Sequence, residues 1–177
     1  MAHLEDNLKD NKNNAVSTMI IAIGSDERTE LTDAVVAELE SKGHELVRFG
    51  ALKEGASPDE KRWTAAARAV AQAVSQGECQ NGILFCWTGT GVAMAANKVP
   101  NVRAALCTDA QTAQGARRWN DANVLVMSLR LTSVAVAKEM LREWFITLPD
   151  KDEENQRCLA ELQEIEKMYL SQNISEA

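Results

Sequence analysis

The chain has no apolar run near the roughly 20 residues a membrane span requires, and its first residues lack the apolar centre of a secretory signal. Clustered cations are also missing. Lys and Arg number 19 against 26 Asp and Glu, a net charge of −7 with no basic block. Nucleic acid as a main partner is thereby disfavoured, because neutralising phosphates takes grouped cations. A small anion needs only a few local donors and stays open. The four cysteines, Cys79, Cys86, Cys107 and Cys158, form no CxxC or other zinc spacing, so no metal is expected. Without an export signal, reduced thiols and a cytoplasmic location are the expectation. Prolines are few; Pro58, Pro100 and Pro149 stand where elements begin or end.

What is present suits one soluble domain. A chain of 177 residues, 45% hydrophobic and 25% charged, can build a real core. Residues 1–17 are polar, rich in Asn, Asp and Lys, and read as a disordered tail before a single domain over 18–177. From there strand and helix alternate. Residues 18–24 (TMIIAIG) form a continuous apolar run, the mark of a strand buried on both faces. Residues 27–42 are expected to be helical, with Leu31, Val35 and Leu39 on one stripe and Gly43 at the C-cap. A short strand over 45–49 follows. Ser57-Pro58-Asp59-Glu60 reads as a capping box opening an Ala-rich helix that runs to Gly77. Strands are expected at 82–86, 102–107 and 123–127. Helices are expected after Gly91, from Asp109 to about Trp119, from Thr132 or Ser133 to about Thr147, and over about 153–170. The pattern predicts a three-layer, Rossmann-like α/β fold: five parallel strands with helices on both faces. The last helix carries Leu159, Leu162, Ile165 and Tyr169 at helical spacing, a stripe expected to dock on a partner subunit or wrap the core.

Parallel sheets bind ligands beyond the carboxyl ends of their strands, which directs attention to Cys86-Trp87-Thr88-Gly89-Thr90-Gly91. Glycines there let backbone N–H groups turn toward an anion, and the helix that follows adds its positive end. A thiol at the same tip supplies a base or nucleophile, and helix-start N–H groups favour thiolates. The plainer reading, a small buried Cys before a tight turn, is equally consistent with the pattern. Gly89-Thr90-Gly91 with Asp109 beyond it is a poor dinucleotide fingerprint, since Met94 holds the third glycine position.

The ordered series of motifs resembles ribose-5-phosphate isomerase B and its galactose-6-phosphate isomerase relatives. It covers Ile21 to Asp26 (IAIGSD), Gly82 to Gly91 (GILFCWTGTG), Ala95 to Pro100 (AANKVP), Val102 to Cys107 (VRAALC) and Asn120 to Leu125 (NDANVL). The resemblance implies interconversion of an aldose and a ketose phosphate through an enediolate, as in the pentose phosphate reactions of carbohydrate metabolism, with no cofactor or metal. Carried over, Cys86 is the base and Thr88 assists ring opening. The backbone of Trp87, Gly89, Thr90 and Gly91 cradles the enediolate, and Asp26, beside Glu27, binds sugar hydroxyls. Arg130 and Arg157 fall at phosphate-binding positions. The family's site lies at a dimer interface, which implies a homodimer or dimer of dimers with Asn120 supplied by the neighbouring subunit.

Departures cluster at those same positions. Glu27 replaces a histidine, and Trp119 and Thr108 occupy both usual places of the ring-opening histidine. Trp87 fills a position that is usually small, and Ala56-Ser57-Pro58 stands for the family's Asp-Tyr-Pro. Three readings remain open at this stage: an isomerase for a different sugar phosphate, a non-catalytic sugar-phosphate-binding subunit, or an assembly module without a ligand.

Overall fold

The structure, a computed structural model, describes residues 18–175; the tail expected over 1–17 lies outside the described residues. Five strands, β1 (Ile20–Ser25), β2 (Glu45–Gly50), β3 (Asn81–Cys86), β4 (Ala104–Leu106) and β5 (Val124–Ser128), form one all-parallel sheet in the order β2-β1-β3-β5-β4. The helices are α1 (Glu30–Ser41), α2 (Trp63–Ser75), α3 (Thr90–Ala96), α4 (Ala110–Asn120), α5 (Val134–Ile146) and α6 (Glu153–Ser175).

Two apolar clusters cover the two faces. Ile21, Ile23, Ile83, Phe85, Leu125 and Met127 project toward α1, α4 and α5. Ala22, Leu84, Cys86, Val124 and Val126 project toward α2 and α3. The alternation along each strand follows from the two-residue period of β side chains. A helix layer on either face gives the expected three-layer architecture. Trp144, 1% exposed, closes the first cluster; its Nε1–H donates to Asn81 Oδ1 at 3.0 Å, which satisfies both buried polar atoms.

Two helix starts differ from the expectation. Helix α1 opens at Glu30, because Thr29 and Thr32 close a reciprocal cap: Thr29 N–H donates to Thr32 Oγ1 at 2.9 Å and Thr32 N–H to Thr29 Oγ1 at 3.4 Å. Asp26, Glu27 and Arg28 are therefore loop residues. The Ser57–Glu60 box does form, with Ser57 N–H on Glu60 Oε2 at 2.8 Å and Glu60 N–H on Ser57 Oγ at 3.3 Å, but it closes an isolated turn. Arg62 is extended, and α2 begins at Trp63. No described helix is long and apolar enough to cross a membrane.

One buried polar contact ties stability to pH. His44, 5% exposed, stacks on Phe145 at 5.0 Å and accepts the Met19 N–H at Nδ1, 3.2 Å away. Burial, then the charge of Lys42, lowers its pKa from the ordinary value. Below about pH 6.5 the unfolded chain takes up a proton that the folded His44 resists. Stability contributed by neutral His44 is thus present above that pH and is lost as pH falls toward the folded value. Melting temperatures of wild type and His44→Gln between pH 5 and 8 are expected to differ by an amount that shrinks on acidification. A constant difference would exclude His44 as the titrating group.

Candidate active site

The connections from β1 and β3 leave in opposite directions: β1 runs through α1 to β2 on one side, and β3 through α3 to β4 on the other. Neighbouring strands with diverging connections open a crevice at their carboxyl ends, the usual ligand site of a doubly wound sheet. Here those ends are Ser25-Asp26 and Cys86. Ser25 is in register with Phe85, so Asp26 stands beside Cys86, and Cys86 is itself in register with Ser128.

Cys86 is nearly buried, with 6% of its surface exposed. Its carbonyl accepts the Gly89 N–H at 3.2 Å and the Leu129 N–H at 3.0 Å. The Trp87 carbonyl accepts the Arg130 N–H at 3.1 Å and the Ser128 hydroxyl at 2.9 Å. The segment after β5 thus clamps the loop after β3 and places Arg130 on the same edge. Its exposed side chain makes no ion pair among the described residues.

Gly89 is the left-handed N-cap of α3, with φ 78°. The first turn of a helix leaves its N–H groups without intrahelical acceptors, so Thr90, Gly91 and Val92 present donors at this tip. The hydroxyls of Thr88 and Thr90 lie 2.7 Å apart, a hydrogen-bonded pair able to pass a proton. A side chain at Gly89 is disfavoured by its φ, and a Cβ there would also push the end of the Leu106 side chain aside. Gly89→Ala is expected to cost about 1–3 kcal/mol of stability for the backbone strain alone, and to shift the loop, with loss of activity. Denaturant unfolding together with steady-state rates checks this; an unchanged midpoint and rate would show that the turn is not constrained.

Asp26 is half-buried. Burial pushes its carboxyl above the usual range, and Glu27 adds repulsion against backbone hydrogen bonds that pull the other way. Its Oδ1 is buried without a protein partner, which leaves an acceptor for a ligand hydroxyl. Glu27 is exposed, its N–H donating to Ser25 Oγ at 3.2 Å. Cys107 follows β4, which β5 separates from β3, so it does not stand beside Cys86. Burial pushes the Cys107 thiol up to about 12, which leaves it protonated and inert.

Asn120 and Arg157 are not brought to this edge. Helix α4 starts at the carboxyl edge and ends with Asn120 at the amino edge, where the Asn120 carbonyl accepts Arg103 Nε–H at 3.1 Å. Arg157 pairs with Glu153 at 2.6 Å and Glu154 at 3.6 Å on α6. Trp119 lies over its own helix; a Cβ at Gly115 would fall 2.8 Å from its ring. Within one chain it therefore does not narrow the crevice. A cavity of about 810 Å³ lies between α6 and the outer edge of the sheet, lined by Asn120, Arg103, Leu162, Ile165 and Tyr169 among others. It is remote from Cys86.

Trp63 escaped the sequence reading. As the first residue of α2 it reaches the carboxyl edge, and a Cβ at Gly91 would lie 3.2 Å from its ring. The available signal was a large aromatic residue placed just before the alanine-rich stretch over 65–73.

A parallel α/β domain with a thiol, a glycine-bounded donor loop and a carboxylate at its switch point is built for chemistry on a small anionic, hydroxylated molecule. The profile of the Ribose/Galactose Isomerase family matches residues 21–162, and the chain belongs to that family of sugar-phosphate isomerases. It is 35% identical over 125 residues to a D-erythrulose-4-phosphate isomerase of Pectobacterium atrosepticum, covering 70% of this chain and 80% of the relative. It is 37% identical over 131 residues to a 4-deoxy-4-sulfo-D-erythrose isomerase of Clostridium sp. (strain MSTE9), covering 73% and 79%. The structure of ribose-5-phosphate isomerase B from Clostridium thermocellum superposes with a TM-score of 0.77 at 34% identity, over 85% of this chain and 99% of that one.

Proposed function

We propose that the chain is a cytoplasmic, cofactor-independent aldose–ketose isomerase acting on a short, open-chain sugar phosphate, with Cys86 as the base. The observation that carries this reading is the joint placement of Cys86, Asp26 and the Thr88–Thr90 hydroxyl pair at one switch point, while Thr108 and Trp119 occupy the two ring-opening positions. The Cys86 thiolate takes the proton from the carbon next to the carbonyl. The electron pair moves onto oxygen to give an enediolate, and the same thiol returns the proton to the adjacent carbon. The hydroxyl proton that must change oxygens passes through Thr88 and Thr90. Atoms and electrons balance within the substrate. The N–H groups of Thr90 and Gly91 hold the developing oxyanion, which makes a weakly acidic C–H removable. Asp26 accepts from a sugar hydroxyl, and Arg130 faces the terminal anion.

The site is read as completed by a second copy in a homodimer or dimer of dimers. Asn120 and Arg157 sit on the edge opposite Cys86, beside the groove under α6, so only the partner's Asn120 and the partner's Arg157 would reach it. The exposed Leu162, Ile165 and Tyr169 give that groove an apolar wall. Residues 18–177 act as one domain in this reading, with α6 as the docking element.

Coupled assays over C4 to C6 aldose and ketose phosphates test the proposal, with a four-carbon sulfonated sugar included. Turnover highest on a four-carbon substrate is the expected result. Absence of turnover on the whole panel, with retained affinity, would instead identify a non-catalytic binding subunit.

A further inference from the structure

Trp63 packs against the glycine-rich loop at the carboxyl edge. Of the four tryptophans only Trp144 is buried in the core; Trp63 leaves 42% of its surface exposed, and Trp87 and Trp119 leave more. Trp63 occupies this place because of three local facts. The Ser57–Glu60 turn is closed by its own hydrogen bonds and by Lys53 Nζ on Glu60 Oε1 at 2.6 Å, so no helix grows from it. Arg62 is extended, which makes Trp63 the first residue of α2. Helices α2 and α3 share one face of the sheet, and their N-termini both rise at the carboxyl edge.

The indole therefore lies against Gly91, one residue into α3. A methyl there would meet Cε3, Cδ2 and Cζ3 at 3.2–3.4 Å, so the ring packs directly on the bare backbone of Gly91. On the other side of the loop, Leu106 presses on Gly89. The loop segment Gly89–Gly91 thus runs between two apolar side chains, Leu106 and Trp63. The ring, part of it exposed, lies beside the second residue of α3, on the sheet edge that carries Cys86.

We propose that Trp63 is a specificity-determining residue, which caps the cleft beside Gly91 so that a four-carbon chain fits and a longer one does not. The inference rests on the proposed isomerase reading and adds to it the group that sets substrate length. Steric exclusion by an apolar wall discriminates by roughly 10–200-fold per added carbon unit, the scale of one methylene in a hydrophobic pocket.

The test compares wild type, Trp63→Phe and Trp63→Ala for kcat/KM on a tetrose phosphate and on ribose 5-phosphate. The five-carbon to four-carbon ratio is expected to rise at least about tenfold in Trp63→Ala, through a lower KM for the longer substrate, with Trp63→Phe between. Trp63→Phe retains an aromatic ring on Gly91 and keeps the test readable if the alanine variant unfolds. A ratio within about threefold of wild type in both variants overturns the proposal, being below the range for even one methylene. Equal losses on both substrates, with monomer by light scattering, would place Trp63 in a subunit contact and overturn it as well. If wild type turns over neither substrate, the isomerase reading fails by itself. Calorimetric affinities for hydroxamate analogues of the four- and five-carbon enediolates then decide Trp63 separately: the same ratio must shift in the variants, or the proposal falls.

Discussion

Cys86→Ala is expected to abolish isomerase activity while leaving the fold in place. Removing a general base costs on the order of 100-fold to 10,000-fold. Neither Cys107 nor Asp109 is suited to replace it. Cys107 is held protonated by burial and lies beyond β5. Asp109 is committed as the N-cap of α4: its Oδ1 accepts Thr112 N–H at 2.7 Å, and the hydrogen bonds it accepts hold its carboxyl below the usual range, a poor base. The structural cost is small, since the loss of one buried sulfur atom is on the scale of about 1 kcal/mol. Turnover is measured beside circular dichroism and a thermal melt, so that loss of chemistry and loss of fold separate. Wild-type turnover in Cys86→Ala would remove the thiol from the mechanism. Asp26 would then be the next base to substitute, because it stands beside Cys86 and burial raises its carboxyl pKa.

A tetrose phosphate is expected to be turned over with a kcat/KM about 100-fold to 10,000-fold above that for ribose 5-phosphate, the usual worth of a positioned general acid. Ribose 5-phosphate and the hexose 6-phosphates exist mainly as rings and must be opened by proton transfer before the C–H chemistry begins. A four-carbon aldose 4-phosphate cannot close such a ring, because the phosphate blocks its terminal hydroxyl. Thr108 donates its backbone N–H to Thr112 Oγ1 at 3.2 Å and carries only a hydroxyl. Trp119 covers Gly115 on the far edge and offers a weak indole donor. The Thr88 hydroxyl titrates far from neutral pH and is a poor lone acid. Efficient use of ribose 5-phosphate would show that another group opens the ring, with Asp26 the nearest candidate. Adding Thr108→His is the complementary experiment: a gain confined to the ring-forming substrate supports the missing-acid account, and a gain on both does not.

The sequence by itself determined the alternation of strands and helices, the two-faced burial of the sheet and the loop that carries Cys86. Each of these is local. A continuous apolar run such as 18–24 reports burial on both sides whatever its neighbours are, and glycines bounding a strand tip constrain only their own backbone. The caps at Asp109 and Ser133 were legible for the same reason, since a cap is satisfied within three residues. Tertiary structure decided the rest. Placing β5 between β3 and β4 separated Cys107 from Cys86, and strand order depends on pairing between distant segments that periodicity does not encode. The path of α4 carried Asn120 and Trp119 to the edge opposite Cys86. The extended Arg62 moved the start of α2 from Ser57 to Trp63 and set an indole against Gly91, a contact across 28 residues between helices that meet only because both cover one face of the sheet.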